Sequence, residues 1–335
     1  TPTGTATPKP GVPICTEPHI GDSPAFATEA RGELGRLLAE ITPGDLDVWF
    51  FTNGGAEANE GALKLAYQYH WERGHQSKSK IVSRWQSYHG NTLGALSLSG
   101  NPMRREIYAP CLHDWPRIAP CYAYRHRQDD ETDDEYGDRA AQALEDAILE
   151  HGADNIAAFI AETVVGATLG AVPPTGPYLK RIREICDRHE VLLILDEVMA
   201  GSGRSGTYFA FEQDDVLPDI TTIAKGLGGG YQPIAATIVR DFVHDAIVER
   251  FSAFEHGHTY IGHATACAAG VAVLDVITRD DLLANVQHIS EQLFGELKIA
   301  FGDHPNVGNI RGRGLFIGIE LVEDRETKKP VDRAY

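Results

Sequence analysis

The sequence predicts an α/β fold in which a mostly parallel mixed sheet is covered by helices on both faces. Segments with the apolar spacing of strands alternate with segments that have the spacing of helices along most of the chain. Residues 191–196 (VLLILD) form a continuous apolar run, which is typical of a strand buried on both faces. Polar residues directly follow several such runs, and ligands bind at the carboxyl ends of strands in sheets of this kind.

Each element is predicted from its own apolar pattern and its own end signals. In the first helix, Leu34, Leu38 and Ile41 share one face, and Pro43 with Gly44 ends it. The predicted helices cover residues 28–41, 56–72, 140–150, 177–189, 264–278 and 281–300. The predicted strands cover residues 46–51, 80–85, 156–162, 191–196, 219–224 and 233–239, with a strand pair or one bent strand over 310–322. Residues 1–24 are expected to be irregular, and the acidic run 129–135 is expected to be a solvated loop.

Length and element pattern predict two domains. The chain has 335 residues, of which 42% are hydrophobic, so it is long enough for a large core. We expect an N-terminal segment over 1–45, a large domain over 46–262 and the start of a smaller α+β C-terminal domain over 263–335. The sequence stops at Tyr335 without a domain-ending signal, so the smaller domain is expected to be incomplete.

Composition argues against several classes of partner. The net charge of −18 disfavours nucleic acid and anionic membrane surfaces, both of which attract basic faces. No apolar run approaches the roughly 18 residues that a transmembrane helix needs. The five cysteines form no CxxC pair, and residues 1–11 lack a signal-peptide core, so we expect a reducing, cytoplasmic location. The spacing of His256, His258 and His263 fits no common zinc pattern, and no metal site is predicted.

Lys225 is the first candidate for chemistry. It follows the apolar run 219–224 and precedes a glycine-rich loop over 226–230. At the end of an interior strand we expect this lysine to be buried, where an unpaired ammonium is costly. A neutral lysine amine forms imines with carbonyl compounds, which gives such a position a use. The alternative is a snorkelling lysine with its ammonium in water.

The turn after the first strand is a candidate phosphate site. Gly54, Gly55 and Ala56 stand between that strand and the next helix, where small residues allow close approach of the backbone. The N–H groups of a first helical turn favour a phosphate. An ordinary glycine turn with a helix cap is the alternative.

Two further segments end strands with polar or aromatic residues. Tyr88 and His89 could stack on a flat ring, or they could be a packed core tyrosine and a surface histidine. Asp196 ends a buried strand, so its carboxylate must face a cation or several donors. A protonated ring nitrogen would serve, as would a structural ion pair with an arginine. Glu197 should point to the opposite side from Asp196, and Val198 back to the same side.

Together these parts match what pyridoxal phosphate requires: a phosphate site, a stacking aromatic, a carboxylate for the ring nitrogen and a Schiff-base lysine. Over residues 26–323 the chain resembles the class III aminotransferases, which have the type I fold of pyridoxal-phosphate enzymes. The matching stretches occur in the family's order: 51–60 (FTNGGAEANE), 88–92 (YHGNT), 194–198 (ILDEV) with 203–206 (GRSG), 224–230 (AKGLGGG) and 258–263 (HTYIGH).

The resemblance implies a role for each matching residue. Lys225 would form the Schiff base with pyridoxal 5'-phosphate and carry protons, and Asp196 would pair with the pyridinium nitrogen. Thr259 would reach the phosphate of the neighbouring subunit's cofactor, which implies a homodimer. The remaining implied cofactor contacts are Val198 and Tyr88 on the two ring faces, the backbone of Gly54, Gly55 and Ala56 at the phosphate, and Glu162 on the substrate side. His89 and Asn59 would support these contacts from behind.

The chain departs from the family pattern in three places. Gly54 stands where the family often has a serine, so a hydroxyl to the phosphate is missing. Thr163 follows Glu162 where the family usually has proline, which weakens the analogy to the ornithine and 4-aminobutyrate branches. Family chains are also longer at both ends, with a segment that covers the substrate pocket and a part that often supplies an arginine for the substrate carboxylate.

The leading hypothesis is therefore a transaminase. It would move an amino group from a small-molecule amine or ω-amino acid to a 2-oxo acid such as pyruvate or 2-oxoglutarate, by a ping-pong route. Racemisation or epimerisation, a mutase reaction and decarboxylation use the same residues and are alternatives. A non-catalytic relative acting as an interaction subunit is the alternative from a different class.

Overall fold

The computed structural model describes residues 28–251 and 254–332. The expectation of an irregular segment over 1–24 lies outside these residues. The strands are β1 (Val48–Thr52), β2 (Lys80–Arg84), β3 (Arg117–Ile118), β4 (Ile156–Glu162), β5 (Leu192–Asp196), β6 (Ile220–Ile223), β7 (Ala235–Val239), β8 (Val307–Arg313), β9 (Phe316–Asp324) and β10 (Lys329–Pro330). The helices are α1 (Glu29–Ile41), α2 (Gly55–Glu72), α3 (Leu93–Leu98), α4 (Pro102–Arg105), α5 (Ala123–His126), α6 (Asp133–His151), α7 (Tyr178–Arg188), α8 (Asp241–Phe251), α9 (Ala264–Arg279) and α10 (Leu282–Phe301).

Seven strands form one mixed, mostly parallel sheet in the order β1-β7-β6-β5-β4-β2-β3. Strands β6, β5, β4, β2 and β3 pair in parallel, whereas β7 runs antiparallel to both of its neighbours, β6 and β1. Strand β1 therefore has the same direction as the parallel strands. The carboxyl ends of β1, β6, β5 and β4 consequently lie at one edge of the sheet, and the predicted fold class is confirmed.

Helices cover the sheet on both faces, as the apolar strand patterns require. Along β1, Trp49 and Phe51 belong to one core cluster, while Val48 and Phe50 belong to the cluster on the other face. Every residue of β4 and β5 is buried. Burial on both faces holds the strand ends in fixed positions, which matters because the polar candidates follow directly after them.

The acidic run is a point where the sequence prediction was wrong. Residues 133–135 are not part of a solvated loop but form the first turn of α6. Thr132 accepts a hydrogen bond from the Glu135 backbone N–H, and the Glu135 carboxylate accepts one from the Thr132 N–H, which is a capping box. Carboxylates are stabilised at a helix N-terminus by its partial positive charge, so acidity here starts a helix.

Beyond the large sheet, β8, β9 and β10 form a three-stranded antiparallel sheet. The glycine-containing segment 310–322 is therefore part of a strand pair and not one bent strand. Helix α9 packs against α1, and its Cys267 and Leu274 share a core cluster with Leu34 of α1. Helix α9, which the sequence prediction places in the smaller domain, thus contributes to the core of the large sheet. The domain boundary at 262/263 stays a prediction.

The described residues contain no helix that is both long and apolar enough to span a membrane.

Candidate functional site

A cavity of about 540 Å³ opens at the carboxyl ends of the parallel strands. This volume lies within the range of small-molecule sites. Most of the predicted site residues line it together: Gly54, Gly55, Ala56, Tyr88, His89, Glu162, Asp196, Val198 and Lys225. Segments separated by up to about 170 positions in the chain meet here because their strands end at the same sheet edge.

The N-terminus of α2 forms one end of the cavity. Gly54 is the N-cap, has an extended backbone and provides no side-chain cap, and Asn53, Gly54, Gly55 and Ala56 line the cavity. A Cβ atom on Gly55 would lie 2.9 Å from Cγ1 of Val198, so only glycine lets the helix approach the end of β5 this closely. This turn could hold an anionic phosphate on its backbone N–H groups.

Asp196 is the centre of a buried polar network. Its Oδ2 accepts a hydrogen bond from Asn59 Nδ2 at 2.8 Å and lies 2.8 Å from His89 Nδ1. Its Oδ1 accepts a hydrogen bond from the Val198 N–H at 3.0 Å. The Asp196 residue is 4% exposed, and no ion pair with an arginine is recorded for it among the described residues. The structure therefore supplies several donors, and the cation that could face Asp196 in the cavity would come from a ligand.

Behind this network, the carbonyl group of His89 accepts a hydrogen bond from Asn59 at 2.7 Å. The Asn59 side-chain oxygen accepts one from Thr222 Oγ1 at 2.9 Å. Asn59 thus connects α2, the 88–92 segment, β5 and β6 through one amide group. From the sequence, Asn59 was predicted only to support the cofactor contacts from behind. The observation that pointed to it is its position one turn into α2, after the pair Gly54 and Gly55.

Glu162 lies at the carboxyl end of β4 and is held by backbone donors. Its Oε1 accepts a hydrogen bond from the Tyr88 N–H, and its Oε2 accepts one from the Gly166 N–H, each at 2.9 Å. Burial raises the pKa of the Glu162 carboxyl above its usual value, with the nearby Asp196 carboxylate acting in the same direction and His89 opposing it. Glu162 therefore fixes the position of Tyr88 at the cavity wall.

Lys225 lines the cavity but is exposed, so the expectation of a buried lysine was wrong. Strand β6 ends at Ile223, and Lys225 begins a short 3₁₀ turn with a φ of 43°. This turn directs the side chain into the cavity and away from the core. Burial of the ammonium is therefore not a reason to expect imine formation by Lys225. The remaining reason is its position in the same cavity as Asp196 and Tyr88.

Thr259 is the predicted site residue that the structure does not bring into the cavity. It is exposed and lies outside the residues that line the cavity in this single chain. Sequence reasoning missed another part of the wall, formed by Asn91, Met199 and residues 230–234. The glycine run before Tyr231 was the available signal, because a glycine-rich loop after a strand end often lies beside a ligand.

Comparisons with known proteins agree with this geometry. A family model described as class III aminotransferase matches residues 18–335. An uncharacterized aminotransferase of Schizosaccharomyces pombe is 42% identical over 308 residues, which cover 92% of this chain and 67% of that protein. An aminotransferase of Gibberella zeae is 43% identical over 310 residues, which cover 91% of this chain and 60% of that protein. The chain thus spans about 60 to 67% of the length of these two relatives.

Solved structures share the fold. An (S)-enantioselective omega-transaminase from Thermomicrobium roseum superposes with a TM-score of 0.87 at 39% identity, over 92% of this chain and 68% of that chain. An omega transaminase from Pseudomonas jessenii in complex with PMP superposes with a TM-score of 0.88 at 34% identity, over 92% of this chain and 68% of that chain.

Proposed function

Because the chain belongs to the class III aminotransferases, we propose that it transfers an amino group from a primary amine or ω-amino acid to a 2-oxo acid. Pyruvate and 2-oxoglutarate are the acceptors that we expect. The observation that carries the proposal is the meeting of Lys225, Asp196 and the N-terminus of α2 in one cavity. Pyridoxal phosphate is the cofactor of this family, and when bound it supplies the electron sink for breaking bonds at the amine carbon.

The residues of the cavity fit this cofactor. The Gly54–Ala56 turn would bind the phosphate, since it ends the cavity with backbone groups and no capping side chain. The Asp196 carboxylate would face the ring nitrogen and keep it protonated. Asn59 and His89 hold that carboxylate in place through their contacts with its Oδ2 atom.

Val198 and Tyr88 would contact the two faces of the ring. The Val198 side chain lies close to Gly55, so it stands near the phosphate end of the cavity. Tyr88 is held through its backbone by Glu162. A flat ring fixed between an aliphatic and an aromatic side chain keeps one orientation toward Lys225.

Lys225 would hold the cofactor through its Nζ atom and release it when the donor amine arrives. Its freed amine would then take the proton from the donor carbon and return it on the cofactor side. The exposed position of Lys225 on a short 3₁₀ turn suits this task, because its side chain must move between the donor carbon and the cofactor.

We also propose that Thr259 completes the site of a neighbouring subunit in a homodimer, since it is exposed and lies outside its own subunit's cavity. The described cysteines at 111, 121, 186 and 267 are free thiols, which supports a reducing compartment such as the cytoplasm. The named relatives are aminotransferases, so no observation favours the racemase, mutase or decarboxylase alternative.

The replacement Lys225→Ala tests the proposal. We expect no detectable transfer from any amine donor to pyruvate or 2-oxoglutarate, because no other lysine lines the cavity within the described part of the chain. Lys180→Ala is the matched control, since Lys180 pairs with Asp215 on an exposed surface, and it should keep full turnover. Turnover retained by the Lys225→Ala variant would refute the role of Lys225.

A further inference from the structure

Helix α2 begins without the contacts that usually satisfy the first N–H groups of a helix. Its N-cap is Gly54, which has no side chain to accept a hydrogen bond. Within the part of the chain that the structure describes, none of the N–H groups of residues 54–57 donates a hydrogen bond to another group of the protein. Residues 54–56 line the cavity. The turn therefore presents free backbone donors, and an anion in the cavity could accept from them.

Glu57 holds this turn from its outer end. Its Oε2 atom accepts hydrogen bonds from the Asn53 backbone N–H at 2.8 Å and from the Asn53 side-chain amide at 3.0 Å. Glu57 is partly buried and is not among the residues that line the cavity, whereas Asn53 is one of them. The two bonds fix both the backbone and the side chain of Asn53 at the point where β1 passes into α2.

Comparison with α6 shows what is unusual in this arrangement. Both helices have a glutamate at the third helical position, Glu135 in α6 and Glu57 in α2. In α6, Glu135 accepts a hydrogen bond from the N–H of the N-cap residue Thr132, and the Thr132 hydroxyl accepts one from the Glu135 N–H. These two bonds use donors that could otherwise bind an anion. In α2, the glutamate accepts from Asn53, one residue before the N-cap, so it orders the turn and leaves the N-cap donor free.

We propose that Glu57 is a positioning residue for the cofactor phosphate, because it fixes Asn53 so that the N–H groups of the Gly54–Ala56 turn stay open toward the cavity. This inference rests on the proposed function. A turn that is ordered before binding loses less entropy when the phosphate arrives, which strengthens binding. The negative charge of Glu57 acts in the opposite direction, since like charges repel. The two effects differ in sign, so the change in affinity on removing the side chain decides between them.

The test compares the binding of pyridoxal phosphate with that of pyridoxal, which lacks the phosphate, to the purified chain. Titrating the visible absorbance band in the wild type, Glu57→Ala and Glu57→Gln gives each dissociation constant without any turnover. We expect Glu57→Ala to raise the constant for pyridoxal phosphate about tenfold, the effect of losing hydrogen bonds to a charged acceptor, and to leave that for pyridoxal unchanged. Glu57→Gln should recover most of the loss, because its side-chain oxygen can still accept both bonds.

Glu135→Ala is the matched control. It removes a glutamate from the same position of a helix that contributes no residue to the cavity within the described ranges. Loss of its capping box should lower the thermal midpoint of the protein. Both dissociation constants should stay at their wild-type values, which separates the loss of a helix cap from an effect on the phosphate.

Two results would overturn the inference and leave the proposed function standing. Equal losses for both compounds in Glu57→Ala would mean that Glu57 only supports the fold, and unchanged or tighter binding of pyridoxal phosphate would mean that its charge outweighs the ordering of the turn. A wild type that binds pyridoxal as tightly as pyridoxal phosphate would lack the phosphate site, and one that forms no band with either compound would lack the cofactor site. Either of these results would contradict the proposed function itself.

Discussion

Asp196 and Glu197 are adjacent carboxylates with different surroundings, because a strand directs successive side chains to opposite sides. Asp196 faces the cavity and is held by Asn59 and His89. Glu197 lies on the far side, where its oxygens accept hydrogen bonds from the Ala210 N–H at 2.9 Å and the Phe211 N–H at 3.2 Å. The opposite directions predicted for these two side chains agree with the structure.

Glu197 makes stability depend on pH. Burial raises the pKa of its carboxyl to about 7, against the lowering effect of its hydrogen bonds. Because its pKa is raised in the native state, protonated Glu197 stabilises the fold. This contribution is complete below the unfolded-state pKa of 4.5 and is lost as the pH rises through about 7. A shift of this size corresponds to about 3 kcal/mol in the free energy of unfolding.

We therefore expect Glu197→Gln to become more stable relative to the wild type between pH 5 and pH 8, by up to about 3 kcal/mol. Urea unfolding of both proteins across this pH range measures the difference. All other titratable groups are the same in both proteins, so the pH dependence of the difference isolates residue 197. A difference that does not vary with pH would show that Glu197 does not titrate in this range.

Residue identities were easier to predict than residue exposure. Lys225, Asp196 and the Gly54–Ala56 turn could be chosen from sequence because each follows an apolar strand pattern directly. The exposure of Lys225 could not be predicted, because it depends on the 3₁₀ turn that begins one residue after Ala224.

Helix α2 and strand β5 meet at Gly55, where the packing leaves no room for a side chain. A Cβ atom would lie 2.9 and 3.1 Å from the two terminal carbons of Val198. Both residues line the cavity, so their separation sets the distance between the N-terminus of α2 and the wall beside Asp196. This close approach explains why glycine occupies the first position of α2.

We expect Gly55→Ala to destabilise the cofactor-free protein by about 1–3 kcal/mol, as overpacking of a filled contact does. Gly35→Ala is the matched control, because Gly35 lies within α1 and a Cβ atom there meets nothing within 4 Å. Alanine favours a helix over glycine, so this control should gain up to about 1 kcal/mol. Denaturant unfolding of the wild type and the two variants measures these differences in the free energy of unfolding. Equal effects of the two replacements would contradict the packing argument.

Long elements were predictable from sequence, whereas short ones and strand direction were not. The predicted segments 28–41, 56–72 and 281–300 differ from α1, α2 and α10 by one residue at one or both ends. Helices α3, α4 and α5 have only four to six residues, too few for a periodic pattern. Helix α8 was missed although Val243 and Ile247 have helical spacing. The antiparallel direction of β7 has no signature in an apolar run.

At the scale of the whole molecule, the sheet assembles the site from distant parts of the chain. The carboxyl ends of β1, β4, β5 and β6 meet at one edge, and each contributes a residue to the cavity. The sequence could predict this meeting from the α/β pattern, since the rule concerns the sheet as a whole. Thr259 cannot be placed by the same rule, because it follows no strand of the sheet.

Mixing two inactive variants tests whether Thr259 serves a neighbouring subunit. Thr259→Asp would place a carboxylate against the cofactor phosphate, and Lys225→Ala lacks the amine, so each homodimer should be inactive. If residue 259 serves the neighbouring site, the subunit of a mixed dimer that keeps Lys225 would receive Thr259 from its partner, so one site would be complete. Co-expression in equal amounts should restore about a quarter of wild-type turnover, since half of the dimers are mixed and each has one intact site.

No recovery in the co-expressed sample would contradict the shared site, provided that mixed dimers are isolated with two different affinity tags. Activity of Thr259→Asp alone would show that residue 259 does not approach the phosphate.

The proposed cofactor site and its reaction are tested together by the absorption spectrum of the purified chain with pyridoxal phosphate, recorded before and after addition of amines. We expect a visible band that depends on Lys225, is lost when a donor amine is added and returns with pyruvate or 2-oxoglutarate. A band that forms but never responds to any amine would contradict transamination, and the absence of a Lys225-dependent band would contradict the assignment of the cavity as a cofactor site.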